Sequence, residues 1–150
     1  MPVLQDRDRT AVQQRFDGEL TGEVSLTLYT QPDIGLYIPG RECHTCGPTQ
    51  QLVEEVSDLS PKIHLDVVDF YKNREDATEQ GIGRIPALAF VSGVKGKARY
   101  YGLPSGFEFA VLIESIIGAS HQRSPLALET RRQLKALKED VHIRVFVTPS

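Results

Sequence analysis

The most informative feature of this chain is the motif Cys43-His44-Thr45-Cys46. Two thiols at this C-x-x-C spacing can close a disulfide across one helical turn and open it again by passing two electrons to another disulfide. They are the two cysteines of the chain, and strand and helix patterns surround them, which favours a redox pair. An inert structural disulfide or two buried thiols remain the alternative interpretation.

Composition restricts the classes of protein that fit. The 150 residues are 40% hydrophobic and 25% charged, with a net charge of −3, which is typical of one globular domain. A net negative charge provides no basic field for nucleic acid. The apolar runs fall far below the roughly 20 residues of a membrane span, and residues 1–9 form no secretory apolar region. Two cysteines in one motif fit a reducing compartment, so we expect a cytoplasmic location.

Hydrophobic periodicity predicts alternating helices and strands. Helices are predicted over residues 6–16, from the dithiol to about residue 59, over 73–80 and over 107–118; strands are predicted over 24–30, 63–70, 87–91 and 98–101. This order predicts an α/β fold, with a mixed four-stranded sheet flanked by helices. Residues 31–42 form a connection that is long for a compact domain, and long loops are often functional.

The C-terminal residues repeat an earlier pattern. Residues 141–149 match residues 24–32 position by position in their alternation, their aromatic residue and their final proline, and a charged helical stretch precedes each. We therefore expect two parts: a domain over residues 1–122, and a helix plus strand over residues 123–150 that begin a truncated second unit. Shared alternation between two unrelated edge strands is the alternative.

Several segments together resemble one known family. They are the leading helix, strand 26–30, Cys43-His44-Thr45-Cys46, Val67-Val68-Asp69-Phe70, Arg84-Ile85-Pro86-Ala87-Leu88 and residues 100–107. Over nearly residues 6–120 the chain resembles the thioredoxin superfamily, and it looks closest to the N-terminal unit of the two-unit, glutaredoxin-like protein disulfide oxidoreductases. Members of that family carry a second unit with its own C-x-x-C, and this chain ends where that second C-x-x-C would come.

The dithiol residues receive separate roles. Cys43 is the candidate nucleophile, because a helix N-terminus stabilises a thiolate and the next helix is predicted to begin there. Cys46, one turn further on, is the candidate resolving thiol. His44 either favours the Cys43 thiolate through a positive charge or is simply exposed. Thr45 is small and allows a partner backbone to approach.

The resemblance also assigns a role to the Ile85-Pro86 step. It implies that Pro86 is cis and borders the dithiol, where a proline, which has no N–H group, denies a place near the sulfurs to a metal or a competing donor. Ile85 can then present its backbone to an extended substrate strand. A trans proline at the start of a strand is the alternative.

These features favour a thiol–disulfide oxidoreductase without a cofactor or metal. Structural zinc takes four ligands, and one C-x-x-C supplies two. The expected partners are protein disulfides and an electron donor of the thioredoxin-reductase type. The alternative is a non-catalytic interaction or electron-relay module that pairs through its C-terminal strand, with a homodimer as one outcome.

Overall fold

The computed structural model describes residues 3–32, 35, 38–92 and 96–147. Within them the chain forms five helices and four strands. In chain order these are α1 (Asp6–Glu19), β1 (Val24–Thr30), α2 (Cys46–Ser57), β2 (Ile63–Asp69), α3 (Arg74–Glu79), β3 (Ala87–Phe90), β4 (Ala98–Tyr101), α4 (Phe107–Ser120) and α5 (Leu128–Lys135). The predicted α/β class and the mixed sheet flanked by helices are confirmed.

The four strands form one sheet in the order β2-β1-β3-β4. β1 pairs with β2 in parallel, from Val24 opposite Ile63 to Thr30 opposite Asp69. β3 runs antiparallel to β1 and to β4. Because parallel neighbours need a crossover connection, α2 must return along the sheet between β1 and β2. Its first residues therefore lie at the end of the sheet where β1 ends.

Strand alternation fills two cores, one on each face of the sheet. Leu26 and Leu28 of β1 lie in the larger core, which also contains Phe16 of α1, Val53 of α2 and Ile116 of α4. The smaller core lies on the opposite face and contains Tyr29, Phe70, Ala77, Ile82, Ala87 and Ala89. β1 is thus buried from both sides, and this fixes its register against both neighbours.

The chain after α4 differs in part from the prediction. α5 confirms the predicted C-terminal helix. The strand predicted from residue 141 onward does not form within one chain, because residues 141–147 have no regular secondary structure; the last residues of that prediction, 148–150, lie outside the described residues. Ile143, Val145 and Phe146 are 78%, 78% and 89% exposed. A strand requires a hydrogen-bonded neighbour, and the described residues supply none here.

Glu55 ties α2 to the N-terminal segment. Its carboxylate accepts hydrogen bonds from the backbone N–H groups of Val3 (2.8 Å) and Leu4 (2.9 Å) and from Gln51 Nε2 (3.0 Å). Desolvation raises the pKa of Glu55, but these bonds and the nearby Arg9 outweigh it, so the pKa lies below its ordinary value of 4.5. The ionised carboxylate therefore stabilises the position of α2.

We expect Glu55→Gln to lower the free energy of unfolding by roughly 1 kcal/mol near neutral pH, because an amide oxygen accepts the N–H groups more weakly than a carboxylate. The folded-state pKa lies below the unfolded value, so the carboxylate's contribution is complete above the unfolded pKa and is lost as the pH falls through the folded pKa. The deficit of the variant should shrink below about pH 4.5. Urea unfolding across this range measures it, with the exposed Glu139→Gln as control. A deficit that stays constant with pH would contradict the assignment.

Candidate active site

Cys43 and Cys46 form a disulfide at the start of α2, with their Cα atoms 5.4 Å apart. The N–H of Cys46 donates to the carbonyl of Cys43 at 3.4 Å, and the helical pattern continues with Thr49 donating to Thr45 at 2.9 Å. The helix therefore begins at the second cysteine of the motif, and Cys43 lies in the turn before it. The predicted helix start at the dithiol holds for Cys46, whereas Cys43 precedes the first helical residue.

The first turn of α2 explains why Pro48 is compatible with it. Pro48 is the third helical residue, and the N–H groups of a first turn have no partner within the helix. A proline therefore costs no helical hydrogen bond at this position.

The two sulfur-bearing residues differ in burial. Cys46 is 2% exposed and lies on the inner face of α2, together with Thr49 and Val53. Cys43 is half-buried, and His44 and Thr45 in the turn beside it are exposed. An incoming disulfide can therefore approach the motif from the side of Cys43.

A cleft of about 590 Å³ lies beside the disulfide. It is lined by Gln31, Pro32, Cys43, His44, Cys46, Gly47, Pro48, Gln50, Gln51 and Glu54. Three of the predicted site residues, Cys43, His44 and Cys46, thus meet in one cleft. Thr45 does not line it. The cleft is the place at which a substrate chain could contact both the turn and the first two turns of α2.

The polar residues of this cleft were not predicted from the sequence. Gln50 and Glu54 follow Cys46 at intervals of four, which places them along one helix face, and Gln50 Nε2 donates to Glu54 Oε1 at 2.8 Å. Gln31 comes directly after β1, at the edge where α2 begins. The i, i+4 spacing from Cys46 was the signal that could have identified the first two.

The Ile85-Pro86 bond is cis, as the family resemblance implied. Ala87 pairs with Tyr29 near the end of β1, so Pro86 lies at the same end of the sheet as the dithiol. Neither Ile85 nor Pro86 lines the cleft of about 590 Å³. Ile85 instead packs against the smaller core, and its contact with a substrate backbone stays a prediction.

The connection before the dithiol is attached to the sheet by Arg41. Its guanidinium lies 4.4 Å from the centre of the Tyr71 ring, within the range of a cation–π contact. Four residues of this connection, 33, 34, 36 and 37, lie outside the described residues. Arg41 thus links the segment just before Cys43 to the residues that follow β2.

Metal-binding clusters and membrane spans are both missing from the part of the chain that the structure describes. It contains no group of three or more His, Cys, Asp or Glu side chains that could hold a metal ion. No helix in the same ranges has the length and apolar character needed to cross a bilayer.

A sheet of order β2-β1-β3-β4, a dithiol at the start of α2 and a cis proline before β3 define a thioredoxin-like fold. Neither a protein-family model nor a curated protein matches the sequence. Solved structures do match.

Two solved structures show the likeness. A protein disulfide oxidoreductase from Aeropyrum pernix K1 superposes with a TM-score of 0.72 and 24% identity, over 89% of this chain and 55% of that chain. The alkylhydroperoxide reductase component AhpF of Enterococcus faecalis V583, in a C503A mutant, superposes with a TM-score of 0.70 and 18% identity, over 89% of this chain and 61% of that chain. At these identities the superpositions show a shared fold alone. The chain spans less than two thirds of the length of either neighbour.

The difference in burial generates a prediction for the reduced protein. At neutral pH we expect iodoacetamide to alkylate Cys43 at least about tenfold faster than Cys46, because Cys43 is the more accessible and lies just before the N-terminus of α2. Mass spectrometry of peptides after timed quenching measures both rates. The variants Cys43→Ser and Cys46→Ser give each rate separately, and faster labelling of Cys46 would reverse the assignment.

Proposed function

We propose that this protein is a thiol–disulfide oxidoreductase that exchanges two electrons with protein disulfides through Cys43 and Cys46. The observation that carries the proposal is a C-x-x-C disulfide with one half-buried and one buried cysteine, beside a cleft at the start of α2. The fold shared with a protein disulfide oxidoreductase supports it.

The exchange proceeds in two displacements. In the reduced protein, the Cys43 thiolate attacks one sulfur of the substrate disulfide, forms a mixed disulfide and releases the other substrate sulfur as a thiolate. The Cys46 thiolate then attacks the Cys43 sulfur, forms the Cys43–Cys46 bond and releases the second substrate thiolate. Two electrons pass to the substrate, and the two protons that Cys43 and Cys46 release to solvent as they form thiolates complete the substrate's thiols. An external dithiol must reduce Cys43–Cys46 before the next cycle.

The position of α2 supports the order of attack. The unpaired N–H groups and the positive end of the helix dipole lie next to the turn that holds Cys43, so they stabilise a thiolate there. His44 lies in the same turn and lines the same cleft, and a positive charge on its ring would add to this effect. Because Cys46 is buried, it reacts with the neighbouring Cys43 sulfur once that sulfur is bonded to the substrate.

The proposal extends to partners and compartment. Protein disulfides are the substrate class, and a donor of the thioredoxin-reductase type restores the dithiol. A cytoplasmic location follows from cysteine usage, since both cysteines belong to the reactive motif and a reducing compartment keeps such a pair in turnover.

The proposal is tested by insulin reduction with dithiothreitol, followed by turbidity. We expect the parent protein to accelerate precipitation and Cys43→Ser to lose the acceleration, on the order of 100-fold or more, because the attacking thiolate is gone. Cys46→Ser should also be inactive in turnover, but it should accumulate a mixed disulfide with insulin on a non-reducing gel.

The two serine variants control for each other, since each removes one thiol from the same motif. A parent protein that does not accelerate precipitation, or a mixed disulfide trapped by Cys43→Ser and not by Cys46→Ser, would contradict the proposal.

A second candidate is an interaction or electron-relay module that pairs through its C-terminal segment. Val141, Ile143, Val145 and Val147 are 63–81% exposed, and their alternation would place them on one face of a strand. Exposed apolar stretches of this kind mark interaction sites. Under this proposal residues 123–150 begin a second unit, and the segment pairs as a strand with another copy of the chain. The resulting homodimer is two-fold symmetric.

Paired aspartates test this second candidate. We expect Ile143→Asp with Val145→Asp to convert a dimer into a monomer in size-exclusion chromatography with light scattering, because two carboxylates would be buried in the pairing. His142→Asp with Arg144→Asp is the control, because it introduces two aspartates on the opposite face of the proposed strand. It should leave the dimer largely intact. A parent protein that is monomeric at all accessible concentrations would exclude this homodimer.

A further inference from the structure

A groove of about 890 Å³ lies between β4, α4 and α5. Among the residues that line it none is acidic and five are cationic, namely Arg99, Arg123, Arg131, Arg132 and Lys135. The last three belong to α5, where they share one helix face with Leu128, at positions i, i+3, i+4 and i+7.

Arg99 lines the groove with its backbone, whereas its charged guanidinium lies outside the groove. It pairs with Ala89, a residue of the smaller core, and its guanidinium lies beside Gly81. The groove lies on the side of the larger core, since α4 packs there. The positive charges directed to the groove are therefore Arg123 and the three cations of α5.

The cationic lining is little neutralised by the described residues. Glu129 approaches Arg132 at 3.9 Å, and both side chains are more than two-thirds exposed, so this pair contributes little. Glu108 accepts a hydrogen bond from the Tyr100 hydroxyl at 2.6 Å, and it does not line the groove. A cluster of cations in a chain of net charge −3 therefore creates a local positive field.

The groove also has an apolar floor and a strand edge. Phe90 and Ala119 are buried beneath it, and Val111 and Leu128 are exposed along its sides. β4 is the last strand of the sheet, so among the described strands it has no neighbour on its outer side. The N–H and C=O groups on that side are available to another extended chain.

We propose that this groove binds an acidic, extended segment of a partner protein. Backbone pairing with β4 gives such a segment its direction, alternate apolar side chains cover the floor, and its carboxylates meet the cations of α5 and Arg123. A four-residue strand such as β4 pairs with a segment of about four residues, roughly 13 Å long.

The groove is independent of the disulfide. Ala98 of β4 pairs with Phe90, which in turn pairs with Leu26, far from the end of β1 where the dithiol lies. The proposal therefore does not depend on thiol–disulfide exchange, and binding can be measured on the oxidised protein.

A fluorescein-labelled ten-residue peptide of alternating glutamate and valine serves as the probe in fluorescence anisotropy. We expect the peptide to bind the full chain. Its binding should weaken as the salt concentration rises from roughly 50 to 300 mM, because the charges are exposed and salt screens them. Arg131→Gln with Lys135→Gln should weaken binding by about tenfold. Arg7→Gln with Lys72→Gln is the matched control, because it removes the same charge from exposed residues that do not line the groove; it should change binding by less than about twofold.

Three further probes decide the class of ligand. A lysine–valine peptide should not bind, and a glutamate–valine peptide with every backbone amide methylated should bind more weakly, because it has no N–H group left to donate to β4. Equal binding by the parent and the Arg131/Lys135 variant would overturn the proposal, as would equal binding of the methylated peptide. Tighter binding of oligothymidylate would also overturn it and would identify a general polyanion surface.

Discussion

The parallel pairing of β1 with β2 is the constraint on which the rest of the structure depends. Two parallel neighbours cannot be joined by a tight turn, so the chain must cross over through α2. The crossover fixes the start of α2 at the edge where β1 ends, and the dithiol lies at that start. Antiparallel pairing of β3 with β1 then brings Pro86 to the same edge. The dithiol and Pro86 are far apart in sequence, and the topology therefore brings them to the same end of the sheet.

The features that were predictable from sequence are those set by local pattern. The alternation of residues 24–30 predicted β1 to the residue, because a strand buried on both faces tolerates little other than apolar side chains and small polar ones. The C-x-x-C spacing predicted the disulfide, and resemblance to a family implied the cis Ile85-Pro86 bond. The cleft beside Cys43 could not be predicted in full, because Gln31 and Gln50 meet only after β1 and α2 are packed. The absence of a strand over residues 141–147 could not be predicted either. Alternation shows that a segment is able to form a strand, but not whether a neighbouring strand is present to pair with it.

The sheet presents different chemistry at its two ends. The end at which β1 terminates holds the disulfide and a cleft lined largely by glutamine, proline and glutamate. The end at which β4 begins lies beside the basic face of α5. The sheet between them is packed on both faces, and the cleft and the groove lie at its opposite ends. Under the two proposals, the protein exchanges electrons with one protein at the disulfide while a different surface holds another.

The burial of Cys46 also bears on how the reduced site meets peroxide. A thiolate oxidises first to a sulfenic acid, and further oxidation to the sulfinic and sulfonic acids is largely irreversible. Under the proposed function, Cys46 is only 2% exposed, so an oxidant would meet Cys43 first. A sulfenic acid on Cys43 then has a thiol one turn away, and their condensation expels water and closes the Cys43–Cys46 bond. Because Cys46 is shielded, oxidation at this motif would end at the reversible Cys43–Cys46 disulfide and not at an irreversible sulfinic or sulfonic acid.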